Sequence, residues 1–386
     1  MSDNLPFELQ EEIMKRLPVR SLIQFRSVSK SWKSLISSSR FIVDYSGQQQ
    51  HLFVMHEDDS DDFNQQCVSI VDDHTFPHQR VSVTIPPLVK NLKDPSIVGG
   101  SHGLLCLYDF DLDAKETEMA VLWNPSIRKA VAVVLPNMPD NKIYRTVLGF
   151  GVCCQTNDPK IIKINHIKQW KDVESINCIP SQVEVFTLST GAWRSSYSSN
   201  LPRKSIIWFR DQVVIDGVHY WLATDRTSDV SLYDLIISFD ITNEEFKEVI
   251  LPDSLSRNFD QHVMSNLKNS LVMLEFNRRR TLYNVWMMED GVSKSFTKLF
   301  TICPPDVEQI YVLEFRKSGE PVIQVRQLGG APDGLLSLAV YEPDSKHIND
   351  LGIDGFHEVK AYTETLLLLD KPNFFIYENT TPAFEA

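Results

Sequence analysis

The sequence predicts a small all-α unit at the N-terminus, followed by an all-β repeat domain that we expect to form a β-propeller of six to eight blades, with seven as the central estimate. Helical periodicity is confined to the first 45 of the 386 residues. Beyond them, short strand-like runs alternate with turn signals, which is typical of all-β proteins. A weak repeat recurs with a period of about 45–60 residues, the spacing of one four-stranded blade.

The N-terminal segment, residues 5–41, reads as three short helices. The spacing of four between Leu9, Ile13 and Leu17 places these side chains on one helical face. Ser29 suits the N-cap of the third helix. A unit of about forty residues with no disulfide or metal buries too little surface to be stable alone. Its remaining apolar side chains therefore either bind a partner or pack against the rest of the chain, and the periodicity leaves both open.

The order of residues in this segment resembles the F-box, in particular the plant type. The resemblance covers residues 5–41 and includes Leu5-Pro6-Phe7-Glu8-Leu9, Ile13, Leu17-Pro18-Val19-Arg20-Ser21-Leu22 and Phe25-Arg26-Ser27-Val28-Ser29-Lys30-Ser31-Trp32. Met14 stands where the motif commonly has Leu, which is a volume-conserving change.

The resemblance implies that the helices dock on a Skp-type adaptor, which would link the chain to a cullin-RING ubiquitin ligase. The positions that match the adaptor-contacting motif of the family are Leu5, Pro6, Ile13, Leu17, Pro18, Val19 and Leu22. Trp32 is expected to lie inside the helical unit.

The predicted boundaries are residues 1–45 for the F-box, 46–50 for a polar linker and 51–380 for the β domain. Within the β domain, an apolar strand with an aromatic residue precedes a polar turn and a second strand. This motif recurs at intervals of 63, 53, 47 and 55 residues, around Trp123, Phe186, Phe239, Trp286 and Tyr341. A pair of β-sandwiches or a barrel is the alternative to a propeller.

Closure of a propeller removes exposed sheet edges, because strands from the two ends of the chain share one blade. We therefore expect the first strand, 51–56, to meet the last strands, 365–369 and 373–377. The F-box, which has a partner of its own, is expected to be dispensable for folding of the propeller.

The repeated segments resemble the F-box-associated domain of plant F-box proteins, which is often labelled kelch-repeat-like. The similarity spans residues 97–370 and includes Leu122-Trp123-Asn124-Pro125-Ser126, Gly217-Val218-His219-Tyr220-Trp221 and Ile237-Ser238-Phe239-Asp240. The double glycines of kelch blades are mostly absent, so the details of kelch blades do not transfer one by one.

Charge and composition exclude several classes of partner. The net charge is −13, and the first 45 residues carry seven Lys or Arg against five Asp or Glu, a net of +2 that leaves about −15 for the remainder. This acidic bulk argues against nucleic acid as a partner.

Six cysteines without paired spacing and a polar N-terminus predict a chain with free thiols that lies in the cytoplasm, the nucleus or both. The apolar run Leu366–Leu369 is too short to span a bilayer, so no membrane partner is expected.

Motifs for catalysis or cofactor binding are incomplete. Gly99-Gly100-Ser101-His102-Gly103 matches a nucleophile elbow, but that motif needs a following helix and the next residues read as a strand. Gly149-Phe150-Gly151 lacks the third glycine of a dinucleotide site. Pro77 would break a helix carrying both His74 and His78, and no Cys and His set has zinc spacing. We therefore predict no catalytic, cofactor-binding or metal-binding residues.

Two charged clusters are open to more than one interpretation, and one pair of cysteines carries a simple structural expectation. Arg278-Arg279-Arg280 could bind an acidic or phosphorylated target, although such a triplet is also typical of a hairpin tip. The acidic residues Glu57-Asp58-Asp59 and Asp61-Asp62 read as a solvated loop between strands, with a contact to the target as the alternative. Cys153 and Cys154 are adjacent, and we expect their side chains to alternate across a strand.

Together these features favour a non-catalytic substrate receptor of an SCF-type (Skp–cullin–F-box) ubiquitin ligase, whose β domain recruits an unknown target protein. The alternatives are a non-degradative F-box scaffold and a propeller enzyme, which would need His and carboxylate side chains converging on the central channel. The sequence assigns no target-binding residues, because specificity lies in loops that carry no shared pattern.

Overall fold

The computed structural model describes residues 5–45, 47, 49–57, 65–109, 118–137, 144–167, 182–196, 201–202, 205–225, 233–252, 255–256, 262–278, 281–289, 295–328, 336–372 and 375–377. They form two compact units. The first contains described residues from 5–109, 118–135 and 358–377, and the second contains those from 136–357.

The first unit begins with four short helices in its described part, one more than predicted: α1 (Phe7–Met14), α2 (Val19–Phe25), α3 (Lys30–Ile36) and α4 (Ser39–Asp44). Ser29 caps α3 as predicted, since its hydroxyl accepts a hydrogen bond from the Trp32 N–H at 3.1 Å. Ser38 caps the additional helix in the same way. One further short helix, α5 (Pro87–Lys90), lies in the described part beyond residue 50, so the β domain contains little helix, as predicted.

The remaining elements are strands. In chain order they are β1 (Gln50–Glu57), β2 (Gln65–Val71), β3 (Arg80–Ser82), β4 (Pro95–Ser101), β5 (Leu104–Asp109), β6 (Met119–Asn124), β7 (Lys129–Val134), β8 (Tyr144–Val152), β9 (Pro159–Ile167), β10 (Gln182–Thr187), β11 (Ala192–Ser195), β12 (Ile206–Ile215), β13 (Val218–Asp225), β14 (Tyr233–Asp240), β15 (Glu245–Ile250), β16 (His262–Leu267), β17 (Ser270–Asn277), β18 (Leu282–Met288), β19 (Phe296–Ile302), β20 (Val307–Phe315), β21 (Pro321–Gln327), β22 (Ser337–Tyr341), β23 (Ile348–Asp354), β24 (Phe356–Thr363) and β25 (Phe375–Tyr377).

Six small sheets formed by these strands are the blades of a β-propeller. The first unit holds the sheets β24-β1-β2-β3 and β4-β5-β6-β7-β25, and β25 runs parallel to β7. The second unit holds β8 to β11, β12 to β15, β16 to β19 and β20 to β23, each a four-stranded antiparallel meander. The predicted propeller is thus confirmed within its range of six to eight blades, while the central estimate of seven is wrong.

The aromatic repeat marks equivalent positions in successive blades, as predicted. Its five side chains all lie on the third strand of their sheets, which are β6, β10, β14, β18 and β22. Four are fully buried, whereas Trp286 is half-buried. Apolar side chains between neighbouring sheets of each unit form its cores, for example Phe53 against Trp123, whose ring centroids lie 5.2 Å apart.

The ends of the chain meet in one blade. The first strand of the domain, β1, lies between β24 and β2, which confirms that N-terminal and C-terminal strands share a sheet. The closing strand is Phe356–Thr363, however, and the predicted strand at 365–369 is wrong, because that segment is irregular and ends in a turn. The predicted strand at 373–377 is present as β25, but its expected contact with the first strand is wrong, because β25 pairs with β7 in a different sheet.

Candidate adaptor-binding site

The first helix exposes an apolar surface. Leu9 and Ile13 of α1 are 53% and 52% exposed, and Leu5, one turn before Leu9, is 42% exposed. The spacing of four residues aligns Leu9 and Ile13 along one side of α1, and Leu5 immediately precedes the N-cap residue Pro6. We call Leu5, Leu9 and Ile13 the α1 face. Single exposed apolar residues are ordinary, but a group of them on and next to one helix is typical of a partner site.

The opposite side of the helical unit is buried by the chain itself. Its core contains Met14, Val19, Leu22, Ile36 and Phe41, and Leu366 and Leu369 from the C-terminal part of the chain belong to the same cluster. The helices therefore pack on the β domain, one of the two possibilities that the periodicity left open. The other possibility, binding of a partner, stays a prediction for the α1 face, whose side chains are exposed in the described part of the chain.

This arrangement separates the residues predicted to contact the adaptor. Leu5, Pro6 and Ile13 are exposed, and Leu17 and Pro18 are partly buried. Val19 and Leu22 have no exposed surface. Their assignment as adaptor contacts is corrected, since side chains that cover Leu366 and Leu369 are not available to a partner.

Leu9 was absent from the predicted set, although its spacing of four from Ile13 marks the same helical face.

Polar contacts hold the helices to one another. The Trp32 indole N–H donates to Gln10 Oε1 at 2.9 Å, and its ring lies 5.3 Å from that of Phe25. The Tyr45 hydroxyl donates to the Leu17 carbonyl oxygen at 2.8 Å. Trp32 thus joins α1, α2 and α3, as expected for a residue inside the helical unit.

Ion pairs join α1 to α4. Lys15 Nζ lies 3.0 Å from Glu11 Oε1 and 3.7 Å from Asp44 Oδ2, and Arg40 Nε lies 3.6 Å from the same Asp44 oxygen. The hydrogen bond to Glu11 raises the pKa of Lys15, with further attraction from Glu12 and Asp44. Ion pairs near the surface contribute little to stability, so the apolar core must supply most of the stability of the helical unit.

A buried carboxylate lies at the junction of helices and β domain. Glu364 Oε2 accepts a hydrogen bond from the Val19 N–H at 3.1 Å, and its Oε1 lies 3.7 Å from His51 Nε2. Burial raises the pKa of Glu364, and the Val19 N–H partly offsets this increase. Burial also lowers the pKa of His51 to about 4, so its imidazole is neutral at neutral pH.

Backbone contacts also fix this junction. A Cβ atom added to Gly47 would lie 1.9 Å from the Glu364 carbonyl oxygen, and the Glu364 N–H donates to the Gln49 oxygen at 3.2 Å. Asn124 Nδ2 donates to the carbonyl oxygens of Thr365 and Leu367 at 3.0 and 2.8 Å. Gly47 and Gln49, in the predicted linker, are therefore packed against the β domain.

The glycine motifs serve backbone geometry. Ser101 and Leu104 pair across a two-residue hairpin turn, in which His102 and Gly103 both have positive φ, so a strand follows Ser101 and the nucleophile elbow is excluded. A Cβ atom on Gly149 would lie 2.5 Å from the Trp221 ring, and one on Gly151 would lie 2.7 Å from His219 Nε2. The latter two glycines thus permit close packing against aromatic rings.

The charged candidates lie at the limits of what the structure describes. Arg278 is exposed directly after β17, while Arg279 and Arg280 lie outside the described residues. Glu57 ends β1, and the rest of its acidic run is likewise outside the described residues.

In the described part of the chain, no three His, Cys, Asp or Glu side chains are grouped to hold a metal ion, and no helix is long and apolar enough to cross a membrane.

Comparison with known proteins identifies the family. The F-box domain model matches residues 2–44, and the F-box associated beta propeller domain model matches residues 87–324, more than half of the chain. The chain therefore belongs to the family of F-box proteins with an F-box-associated β-propeller. This combination supports the role of an F-box substrate adaptor.

Individual relatives agree with this assignment. An F-box/kelch-repeat protein of Arabidopsis thaliana is 25% identical over 317 residues, covering 78% of this chain and 79% of the relative. The F-box protein CPR1 of Arabidopsis thaliana is 24% identical and covers 78% and 73%. Among solved structures, a puromycin hydrolase aligns with a TM-score of 0.39 and 11% identity over 67% of this chain and 39% of the hydrolase, a likeness that supports no functional conclusion.

Proposed function

We propose that this chain is the substrate-receptor subunit of an SCF-type ubiquitin ligase in the cytoplasm or nucleus. The F-box binds a Skp-type adaptor that connects to a cullin-RING ligase, and the propeller binds a target protein. The observation that carries the proposal is the α1 face, an aligned apolar surface on helices whose inner side is already packed on the β domain.

The α1 face suits a hydrophobic anchor. Leu9 and Ile13 each leave about half of their surface in water. Removing that surface from water on binding is favourable, and a few apolar anchors at the centre of an interface carry most of its energy. We therefore expect these two side chains to dominate adaptor binding.

The proposed mechanism is proximity. A target held by the propeller is placed near a ubiquitin-charged enzyme, which raises the effective concentration of its lysines. The packed junction around Glu364 and Gly47 holds the α1 face in a fixed position relative to the sheets of the first unit. The target is then presented from a rigid support. No side chain of this chain performs covalent chemistry in this mechanism.

The proposal is tested by affinity capture from cells treated with a proteasome inhibitor. The double variant Leu9→Glu, Ile13→Glu places charges on an exposed surface, so it should fold normally and lose the adaptor and cullin. Ile250→Glu is the matched control, because Ile250 is 81% exposed on β15 and lies outside the F-box. Deleting residues 1–45 is a poorer test, since it would uncover Leu366 and Leu369.

The unmodified chain, the double variant and the control should all capture targets in inhibitor-treated cells. In cells without the inhibitor, target abundance should be higher with the double variant than with the unmodified chain. Retention of the adaptor by the folded double variant would refute the proposed interface. Target levels that respond neither to the inhibitor nor to the variant would instead support a non-degradative scaffold.

A further inference from the structure

Two adjacent cysteines lie in the turn between β8 and β9. The turn is closed by hydrogen bonds from the Cys153 N–H to the Asp158 oxygen, at 3.0 Å, and from the Asn157 N–H to the Cys153 oxygen, at 2.7 Å. The expectation that the two side chains alternate across a strand is wrong, because β8 ends at Val152. Instead both sulfur atoms approach the Thr242 hydroxyl oxygen, Cys153 Sγ at 3.6 Å and Cys154 Sγ at 3.7 Å.

The two thiols differ in exposure and surroundings. Cys153 is 2% exposed, just beneath a turn in which Cys154 itself is exposed. Burial alone would raise the pKa of the Cys153 thiol, but hydrogen bonds from Thr156, Thr242 and the Gln155 N–H outweigh burial and lower it to about 7. A substantial fraction of Cys153 is then thiolate at neutral pH, the form that reacts with oxidants.

The other described buried cysteines lack such donors. Burial raises the pKa of Cys67 to about 12 and also raises that of Cys106. Both should be inert, because a buried thiol without stabilising hydrogen bonds stays protonated. They serve as controls within the same molecule.

We propose that Cys153 and Cys154 form a reversible redox site that a peroxide oxidises to an intrachain disulfide. The Cys153 thiolate attacks one oxygen of hydrogen peroxide, the O–O bond breaks, and hydroxide leaves to take up a proton. Cys153 is then a sulfenic acid. The Cys154 sulfur attacks this oxidised sulfur, the S–S bond forms, and water leaves, so that two thiols are oxidised and one peroxide is reduced to two waters. This site is independent of the proposed ligase function.

The product should be easy to reduce. Adjacent Cα atoms are about 3.8 Å apart in a trans peptide, whereas disulfides usually span about 4.4–6.8 Å. A disulfide between neighbours is therefore strained and more oxidising than a structural one, so cellular thiols can reverse it. Its formation would also remove both sulfurs from Thr242, which follows β14, and so change a contact between two neighbouring sheets of the second unit.

The test is peptide mass mapping of the full chain after treatment with hydrogen peroxide. Cys178 lies outside the described residues and is replaced by Ser, so that it cannot pair. The peptide with Cys153 and Cys154 should lose two hydrogen atoms and regain them with dithiothreitol, while Cys67 and Cys106 stay unmodified. Cys154→Ser should accumulate a sulfenic acid at Cys153 that dimedone traps, and Cys153→Ser should form no disulfide.

A positioning variant tests the role of Thr242. Thr242→Val removes the hydroxyl at similar volume and should slow oxidation several-fold, and Thr242→Ser should restore the rate. Melting curves confirm that each variant is folded. The proposal is overturned if the pair reacts no faster than the partly exposed Cys303, or if the product is an intermolecular dimer or a sulfonic acid.

Discussion

Leu22 and Ile13 both match the adaptor-contacting motif, yet the structure predicts that they affect different properties. Leu22 has no exposed surface and belongs to the cluster that contains Leu366 and Leu369. Ile13 is 52% exposed on α1. We therefore expect Leu22→Ala to reduce stability and Ile13→Ala to reduce adaptor affinity.

The magnitudes follow from burial. Truncating a fully buried Leu to Ala costs about 2–5 kcal/mol, because the lost transfer energy is joined by a cavity. A loss of about 3 kcal/mol lowers the melting temperature of a unit of this size by roughly 6–12 °C. Ile13→Ala, a substitution at an exposed site, should change stability by less than about 0.5 kcal/mol. If Ile13 is an interface anchor, its loss should cost about 1–2 kcal/mol of binding free energy, or roughly 5- to 30-fold in Kd.

The assay pairs thermal unfolding with hydrogen exchange of the α2 amides, and then measures adaptor binding of each folded variant. Leu22→Ala should lower the melting temperature, speed exchange in α2 and keep near-normal affinity below its transition. Ile13→Ala should leave the melting temperature and the exchange in α2 unchanged and should weaken adaptor binding. Unchanged stability of Leu22→Ala together with abolished adaptor binding would refute the placement of Leu22 in the core of the helical unit.

Three further predictions concern the fold. Gly47→Ala should destabilise the first unit by about 1–3 kcal/mol in chemical unfolding, because the added Cβ meets the Glu364 carbonyl oxygen; an unchanged midpoint would mean that the junction is loose. Deleting residues 360–386 removes the second half of β24 together with Leu366 and Leu369, so the sheet that holds β1 should unfold as well; a truncated chain that melts like the intact one would argue against closure. Burial lowers the pKa of His219 to about 3, so stability should fall as the pH drops from about 6.5 towards 3, where the unfolded state binds a proton that the folded state does not, by up to about 1.4 kcal/mol per pH unit. His219→Phe should reduce that slope in acid unfolding curves, and an identical slope would contradict the assignment.

Local patterns predicted the parts of the fold that depend on nearby residues. The cap at Ser29 and the aromatic repeat on third strands follow from spacing within a few residues or one blade. The blade number did not follow, because the intervals of the repeat vary from 47 to 63 residues and do not divide the chain evenly.

The features that the sequence did not predict depend on packing between residues far apart in the chain. The run Leu366–Leu369 has the apolar composition of a strand. In the structure it is not a strand, and Leu366 and Leu369 pack in the same core as the helices. Val19 and Leu22 matched an interface motif, but their burial depends on residues some 345 positions away, such as Glu364, whose carboxylate accepts from the Val19 N–H. Only a three-dimensional arrangement separates the inner side of the F-box from the α1 face.

The most direct test of the account is a titration of the purified full chain with a purified Skp-type adaptor by isothermal calorimetry. The unmodified chain and the Ile250→Glu control should bind one adaptor each with the same affinity. Leu9→Glu, Ile13→Glu should weaken binding by at least about tenfold per position, since each charge would be buried unpaired against an apolar partner surface. Equal affinity of all three proteins, or no binding by the unmodified chain, would contradict the assignment of the α1 face as the adaptor-binding site.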